Sequence, residues 1–194
     1  KEILKQNNIN ESLVYYLMKY YLHLDEVDEL NNKTVDKKLE NKYYQAIELL
    51  INKKPIQYII GFINFYGYEF KISEDVLIPR FETEELVNNT IHYINKYLNN
   101  KVRIVDVGTG SGIIGITLKK EMPKSLVTLT DISEKALAIA KTNALRLDVD
   151  VSFTQGNMLE PIVLQDKKYD VIISNPPYIK NKEKIMDVVK ENEP

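Results

Sequence analysis

Cysteine and tryptophan are absent from the 194 residues, and histidine occurs only as His23 and His92. Without cysteine there is no disulfide, no thiolate metal site and no sulfur nucleophile, and two isolated histidines offer no ligand spacing, so no metal is expected. No run of 18 apolar residues occurs, and the opening KEILKQNNINE has no apolar core of the kind an export signal carries. A cytoplasmic protein without membrane contact is the expectation. Arginine is scarce as well, at Arg80, Arg103 and Arg146 alone, and the net charge is -2. A broad phosphate-binding face is therefore not indicated, and nucleic acid is not expected as a direct substrate. What is present is a globular composition, 44% hydrophobic and 28% charged, in a chain long enough for one domain or for a small domain joined to part of a larger one.

From Ile9 to Leu24 the residues Leu13, Val14, Leu17, Met18, Tyr21 and Leu22 recur at steps of three and four, which predicts an amphipathic helix capped by Asn10. A second helix is expected from near Thr34, with Val35, Leu39, Tyr43, Ile47 and Leu50 on one stripe, ending before Lys53-Lys54-Pro55. Residues 1–54 hold nine lysines and nine carboxylates, so they read as a small, neutral helical module. Residues 55–81 differ in texture. Aromatics, Gly61 and Gly67 interrupt them, and NFYGYEFKI alternates as a hairpin does, which predicts a linker with its own β structure. Pro79 then fixes the chain ahead of Glu82-Thr83-Glu84-Glu85, an acidic helix start that leads through Leu86, Ile91, Ile94 and Leu98.

After Asn100 apolar strands alternate with helices. Strands are expected at 102–108, 126–132, 151–157 and 169–175, with helices over Ile113 to Lys120 and Glu134 to Leu147. Strands with little internal polar alternation, separated by helices, predict an α/β fold with a Rossmann-like parallel sheet covered on both faces, filling a third region at 82–194. Ligands bind such sheets beyond the carboxyl ends of the strands. The last strand, with Val171, Ile172 and Ile173 apolar on both faces, reads as a central one. Few residues follow it, so the sheet is expected to be truncated at its C-terminal side.

Asp106-Val107-Gly108-Thr109-Gly110-Ser111-Gly112 follows a strand and opens a helix. Glycines there permit a tight turn and a close approach of ligand to backbone. Gly110, Gly112 and Gly115 fit a dinucleotide fingerprint, whereas Asp106, Gly108, Gly110 and Gly112 fit the acid-then-glycines pattern of enzymes that use S-adenosylmethionine (SAM). Electrostatics separates them: a pyrophosphate is repelled by a neighbouring carboxylate, while the ammonium and sulfonium of SAM are attracted to one at Asp106. Asp131, at the end of the next strand, stands where a carboxylate accepts ribose hydroxyls and suits either ligand. Asn157 and Met158, after the third strand, are candidates for an adenine contact.

Asn175-Pro176-Pro177-Tyr178 stands at the end of the fourth strand, beside the place where the methyl of SAM would be presented. Prolines pre-set the backbone and leave carbonyls unbonded. A planar nitrogen is a poor nucleophile because its lone pair is delocalised. An asparagine oxygen and a proline-corner carbonyl that accept its two hydrogens would aim it at the sulfonium carbon and stabilise the positive charge developing on it. Tyr178 would pack on the planar group. The corner points to N-methylation of either a side-chain amide or an exocyclic amine of DNA or RNA. A chain that binds SAM or a partner without turnover is a third reading.

NPPY after such a glycine loop resembles the amino-methyltransferases. Together with Pro55-Ile56-Gln57-Tyr58-Ile59-Ile60-Gly61, Phe65-Tyr66-Gly67-Tyr68-Glu69-Phe70 and the run from Val76 to Leu86, VLIPRFETEEL, the sequence resembles the HemK/PrmC family of peptide chain release factor glutamine methyltransferases. Phe81 stands where that family has proline, and Asn157-Met158 where it has an Asp followed by an aromatic. The resemblance implies a helical N-terminal domain that recognises a release factor, a hairpin linker and a SAM domain. It also implies N5-methylation of the glutamine in the factor's Gly-Gly-Gln motif; separately, a monomer is expected. Under the resemblance, Asn175, Pro176, Pro177 and Tyr178 hold the amide, and Gly108, Thr109, Gly110, Ser111, Gly112, Asp131, Met158 and Asn175 touch SAM; Asp106 and Asn157 join that cofactor site from the reading of the residues above.

Overall fold

In a computed structural model the chain is described over residues 9–24, 34–99, 101–164 and 168–176. It divides into two units, Lys1–Ile60 and Gly61–Pro194. In the first, helix α1 (Glu11–Leu22) begins where Asn10 Oδ1 accepts from the Ser12 amide at 3.0 Å, and α2 (Lys37–Ile51) where Asp36 Oδ1 accepts from Lys38 at 2.7 Å. Each cap satisfies one of the amides that a helix start leaves unpaired. Leu17, Ala46 and Leu50 are buried between the two helices, with Leu13, Val14, Tyr43 and Ile47 around them. A short helix α3 (Ile56–Ile60) follows, where a β segment is expected from the sequence. Pro55 supplies the reason: its carbonyl accepts from both Tyr58 and Ile59, and Gly61, at φ +78°, ends the turn.

The second unit opens with the hairpin of β1 (Phe62–Phe65) and β2 (Tyr68–Lys71), joined by Tyr66 and Gly67 at φ +51° and +81°. Two positive-φ residues make the turn whose twist matches that of the strands. The hairpin packs into this unit's core: Phe65 and Phe70 are buried there, edge to face at 6.2 Å. Helix α4 (Glu82–Tyr97) carries Glu82, Glu84 and Glu85 in its first turn, where they favour the positive end of the helix dipole. Glu84 Oε1 also accepts from the amide of Tyr66 at 2.8 Å.

The remaining elements alternate: β3 (Arg103–Val107), α5 (Ile113–Glu121), β4 (Leu126–Asp131), α6 (Glu134–Arg146), β5 (Ser152–Gln155), α7 (Glu160–Val163) and β6 (Val171–Ser174). The strands form one parallel sheet in the order β5-β4-β3-β6. Ile104, Ile116, Leu118 and Leu129 are fully buried between the sheet and its helices. In the sequence β6 reads as a central strand. Among the described residues it pairs with β3 alone and lies at the sheet edge, so Ile173 is buried while Ile172 is 60% exposed. All four carboxyl ends face the same side, as parallel pairing requires, and four polar segments gather there.

A buried side chain joins the hairpin to α6 and the loop after β3. Asn143, on α6 and fully buried, accepts from the Lys71 amide at 2.7 Å and donates to the Lys71 carbonyl and the Ser111 carbonyl, each at 2.9 Å.

Candidate functional site

The loop after β3 turns on three left-handed glycines: Gly108 at φ +67°, Gly110 at +55° and Gly112 at +81°. Their surroundings differ. A Cβ at Gly108 or Gly110 would meet no protein atom within 4 Å, so beside these two the backbone is open to a ligand. At Gly112 a Cβ would lie 2.7 Å from Ile116 Cδ1 and 3.0 Å from Ala140 Cβ, so that glycine serves the packing of α5 against α6.

Asp106 lies underneath this loop. It is fully buried, its Oδ2 accepts from the Thr109 hydroxyl at 2.6 Å and from the Gly115 amide at 3.0 Å, and its Oδ1 has no partner among the described residues. Burial pushes its carboxyl up to about 6, against the opposing effect of those two hydrogen bonds. Asp131, at the end of β4, accepts from the amide of Gly110 at 2.8 Å through Oδ2 and from that of Ser133 at 2.9 Å through Oδ1. Each carboxylate oxygen retains a further lone pair.

A cavity of about 360 Å³ opens over these strand ends, within the range of small-molecule sites. Of the residues singled out in the sequence, Gly108, Gly110, Asp131, Asn157, Met158, Asn175 and Pro176 line it. Thr109 and Ser111 line a smaller adjoining cavity of about 50 Å³ that shares Gly108, Gly110 and Asn175 with the first. Asp106 and Gly112 line neither, and Pro177 and Tyr178 lie outside the described residues. Asn157 Nδ2 donates to Glu160 at 3.2 Å, while Met158, at φ +48° and 55% exposed, borders the cavity in a backbone region that side chains rarely adopt. Such strained residues cluster at sites where the surroundings fix them for use.

The asparagine of the NPPY corner is held from two directions. Ser174, its neighbour, donates to the Val107 carbonyl at 2.7 Å and so ties the end of β6 to β3. Asn175 itself donates from Nδ2 to the buried Thr83 hydroxyl on α4 at 3.2 Å. Sequence reasoning also misses a wall: Asp75, Val76 and Leu77, from the segment after the hairpin, line the larger cavity, and Leu77 borders both. Lys135 donates to Asp75 at 2.9 Å and holds its carboxyl below the usual range. The available signal was the apolar run VLIP shortly before an acidic helix start, a segment with no reason to be apolar if it merely connects domains.

The Methyltransferase small domain family matches residues 84–192, which includes the glycine loop, Asp131 and the NPPY corner. The structure of the T. thermophilus 16S rRNA N2 methyltransferase in complex with AdoMet and guanosine superposes at a TM-score of 0.52 with 13% identity, covering 66% of this chain and 35% of that one, and shows the shared methyltransferase fold. The release factor glutamine methyltransferase of Bacillus subtilis is 44% identical over 160 residues, 79% of this chain and 54% of the relative. That of Bacillus cereus is 36% identical over 196 residues, 98% of this chain and 69% of the relative. The chain belongs to the release factor glutamine methyltransferase family. It spans about half to two thirds of the length of these relatives.

Proposed function

We propose that this protein transfers a methyl group from SAM to N5 of the glutamine side chain in the Gly-Gly-Gln motif of a peptide chain release factor. The observation that carries the reading is that Asn175 borders the same cavity as Gly108, Gly110 and Asp131, so an amide-binding group and a cofactor cradle meet in one space. The residues suit SAM. Gly108 and Gly110 leave backbone open beside the cavity, and Asp131 retains lone pairs for ribose hydroxyls. Met158 offers an apolar surface to the adenine, and Asn157 its amide. Asp106 acts from beneath the loop, where its carboxylate favours a cationic ligand and shapes the turn through Thr109 and Gly115. When bound, SAM supplies an electrophilic methyl on a sulfonium.

The chain's own groups then act on the acceptor. Asn175 Oδ1 and the Pro176 carbonyl accept the two amide hydrogens, hold the nitrogen in line, and stabilise positive charge as it develops there. Pro177 stiffens the corner and Tyr178 packs on the flat amide. No strongly basic side chain is required: as the bond from methyl to nitrogen forms, its bond to sulfur would break to leave a neutral thioether, and the methylated nitrogen, strongly acidic, would then give its proton to water. Residues 1–54 recognise the release factor, 55–81 connect and lend Asp75, Val76 and Leu77 as one wall of the cavity, and 82–194 supply the other groups that bind SAM; the enzyme works as a monomer in the cytoplasm. Methylation of an exocyclic amine in DNA or RNA is the alternative, and three arginines with a net charge of -2 do not favour it. Incubation with labelled SAM and release factor is expected to label the factor and to leave a Gln→Ala version of its Gly-Gly-Gln motif unlabelled; equal labelling of the two would overturn the reading.

A further inference from the structure

Thr83 lies 92 residues before Asn175 in the chain and belongs to the first turn of α4, yet its hydroxyl is the one protein group that Asn175's side chain bonds among the described residues. We propose that Thr83 is a positioning residue for Asn175. This rests on the reading of Asn175 as the acceptor for a substrate amide and adds the group that makes it one. In a carboxamide the oxygen and nitrogen are fixed in one plane, so anchoring Nδ2 to Thr83 at 3.2 Å also sets where Oδ1 points. Among the described residues none donates to Oδ1, which leaves it as an acceptor on a side chain that borders both cavities. Donation from Nδ2 also polarises the carboxamide and strengthens Oδ1 as an acceptor when a planar N–H arrives.

Three features make Thr83 suited to this. It is buried, so water does not compete for its hydroxyl. Its backbone is fixed at the helix start, where its amide donates to the Arg80 carbonyl at 3.0 Å. And it borders the smaller cavity next to Leu77 and Pro79, so α4 and the segment before it reach the reaction corner directly. The site is thus divided between two parts of the sequence, FET at residues 81–83 and NPPY at 175–178.

The test compares the parent with Thr83→Val, which keeps the shape and removes the hydroxyl, and Thr83→Ser, which keeps the hydroxyl. With release factor as acceptor, Thr83→Val should lose roughly 10- to 100-fold in kcat, as expected for a lost hydrogen bond to a positioned group, with SAM affinity by calorimetry unchanged; Thr83→Ser should stay within about threefold of the parent. Thr83→Val within twofold of the parent, or Thr83→Ser as damaged as Thr83→Val, overturns the proposal. Should Thr83→Val fail to fold by thermal denaturation, Thr83→Ala takes its place under the same criteria. A second readout needs no substrate: the side-chain amide resonance of Asn175, assigned by its loss in Asn175→Asp, should shift in Thr83→Val and not in Thr83→Ser, and an unmoved signal overturns the positioning role. A parent that does not methylate the release factor overturns the substrate reading, while the amide resonance still decides the pairing.

Discussion

Asp106 carries its carboxyl where water does not reach, and the consequence can be read in pH. Burial raises its folded-state value from 3.8 to about 6, so the folded protein holds that proton more firmly than the unfolded chain does. The stabilisation from the protonated form is complete below about pH 4 and is lost as pH rises through about 6, a contribution on the order of 3 kcal/mol. Asp106→Asn cannot ionise and has no such loss. Its stability relative to the parent, from urea denaturation at pH 4 and at pH 7, should therefore improve by a few kcal/mol toward the higher pH; a constant difference would mean that the parent's carboxyl titrates normally. The sequence identifies Asp106 as important but not its orientation. A DxGxGxG string does not say whether the acid faces the ligand or, as here, the underside of the loop that meets the ligand.

At the scale of elements, packing between α5 and β4 leaves no room for a side chain at Gly115. A Cβ there would stand 2.1 Å from Leu129 Cδ2 and 3.1 Å from Asp106 Oδ2. Since Leu129 is itself fully buried and cannot swing aside, Gly115→Ala should destabilise the protein by about 1–3 kcal/mol in chemical denaturation. Asn143 is a second joint between elements. Asn143→Leu keeps the branching at Cγ and strands the amide and carbonyl of Lys71 and the carbonyl of Ser111, for an expected loss of about 3 kcal/mol by the same measurement. The strands and long helices were readable because apolar runs, glycines and caps mark their limits in the local sequence. Asn143 was not readable, because its partners lie 72 and 32 residues away and nothing within α6 announces them. The pairing of Asn175 with Thr83 escaped for the same reason. Helix α3 escaped for a different one: five residues are too short for periodicity to separate helix from strand.

For the molecule as a whole, the 360 Å³ cavity is lined entirely by residues of the Gly61–Pro194 unit. A ligand that occupies it stabilises that unit by mass action, about 2.7 kcal/mol at a hundred times its dissociation constant. Hydrogen exchange with and without S-adenosylhomocysteine should accordingly slow in the glycine loop, in β4 and at the end of β6, while α1 and α2 exchange at an unchanged rate. Protection spreading equally through α1 and α2 would show that both units respond to the cofactor. The sequence had placed a boundary near residue 54 and a connecting hairpin beyond it. What it did not carry was the hairpin's burial, since Phe65 and Phe70 read alike as a free ribbon's aromatics or as core.

The Asn143 carboxamide has one more consequence. The register of β1 with β2, with Ile72 donating to Gly61, directs the amide and carbonyl of Lys71 away from β1, toward the outer edge of the hairpin. An unpaired pair of that kind is a template on which another chain can add a strand. Asn143 offers Lys71 the acceptor and donor that a neighbouring strand would offer, and so closes the edge with a side chain. Loss of Asn143 therefore threatens more than the fold's stability: it uncovers a docking point for intermolecular β pairing, and concentrated Asn143→Leu should scatter light under conditions in which the parent stays clear.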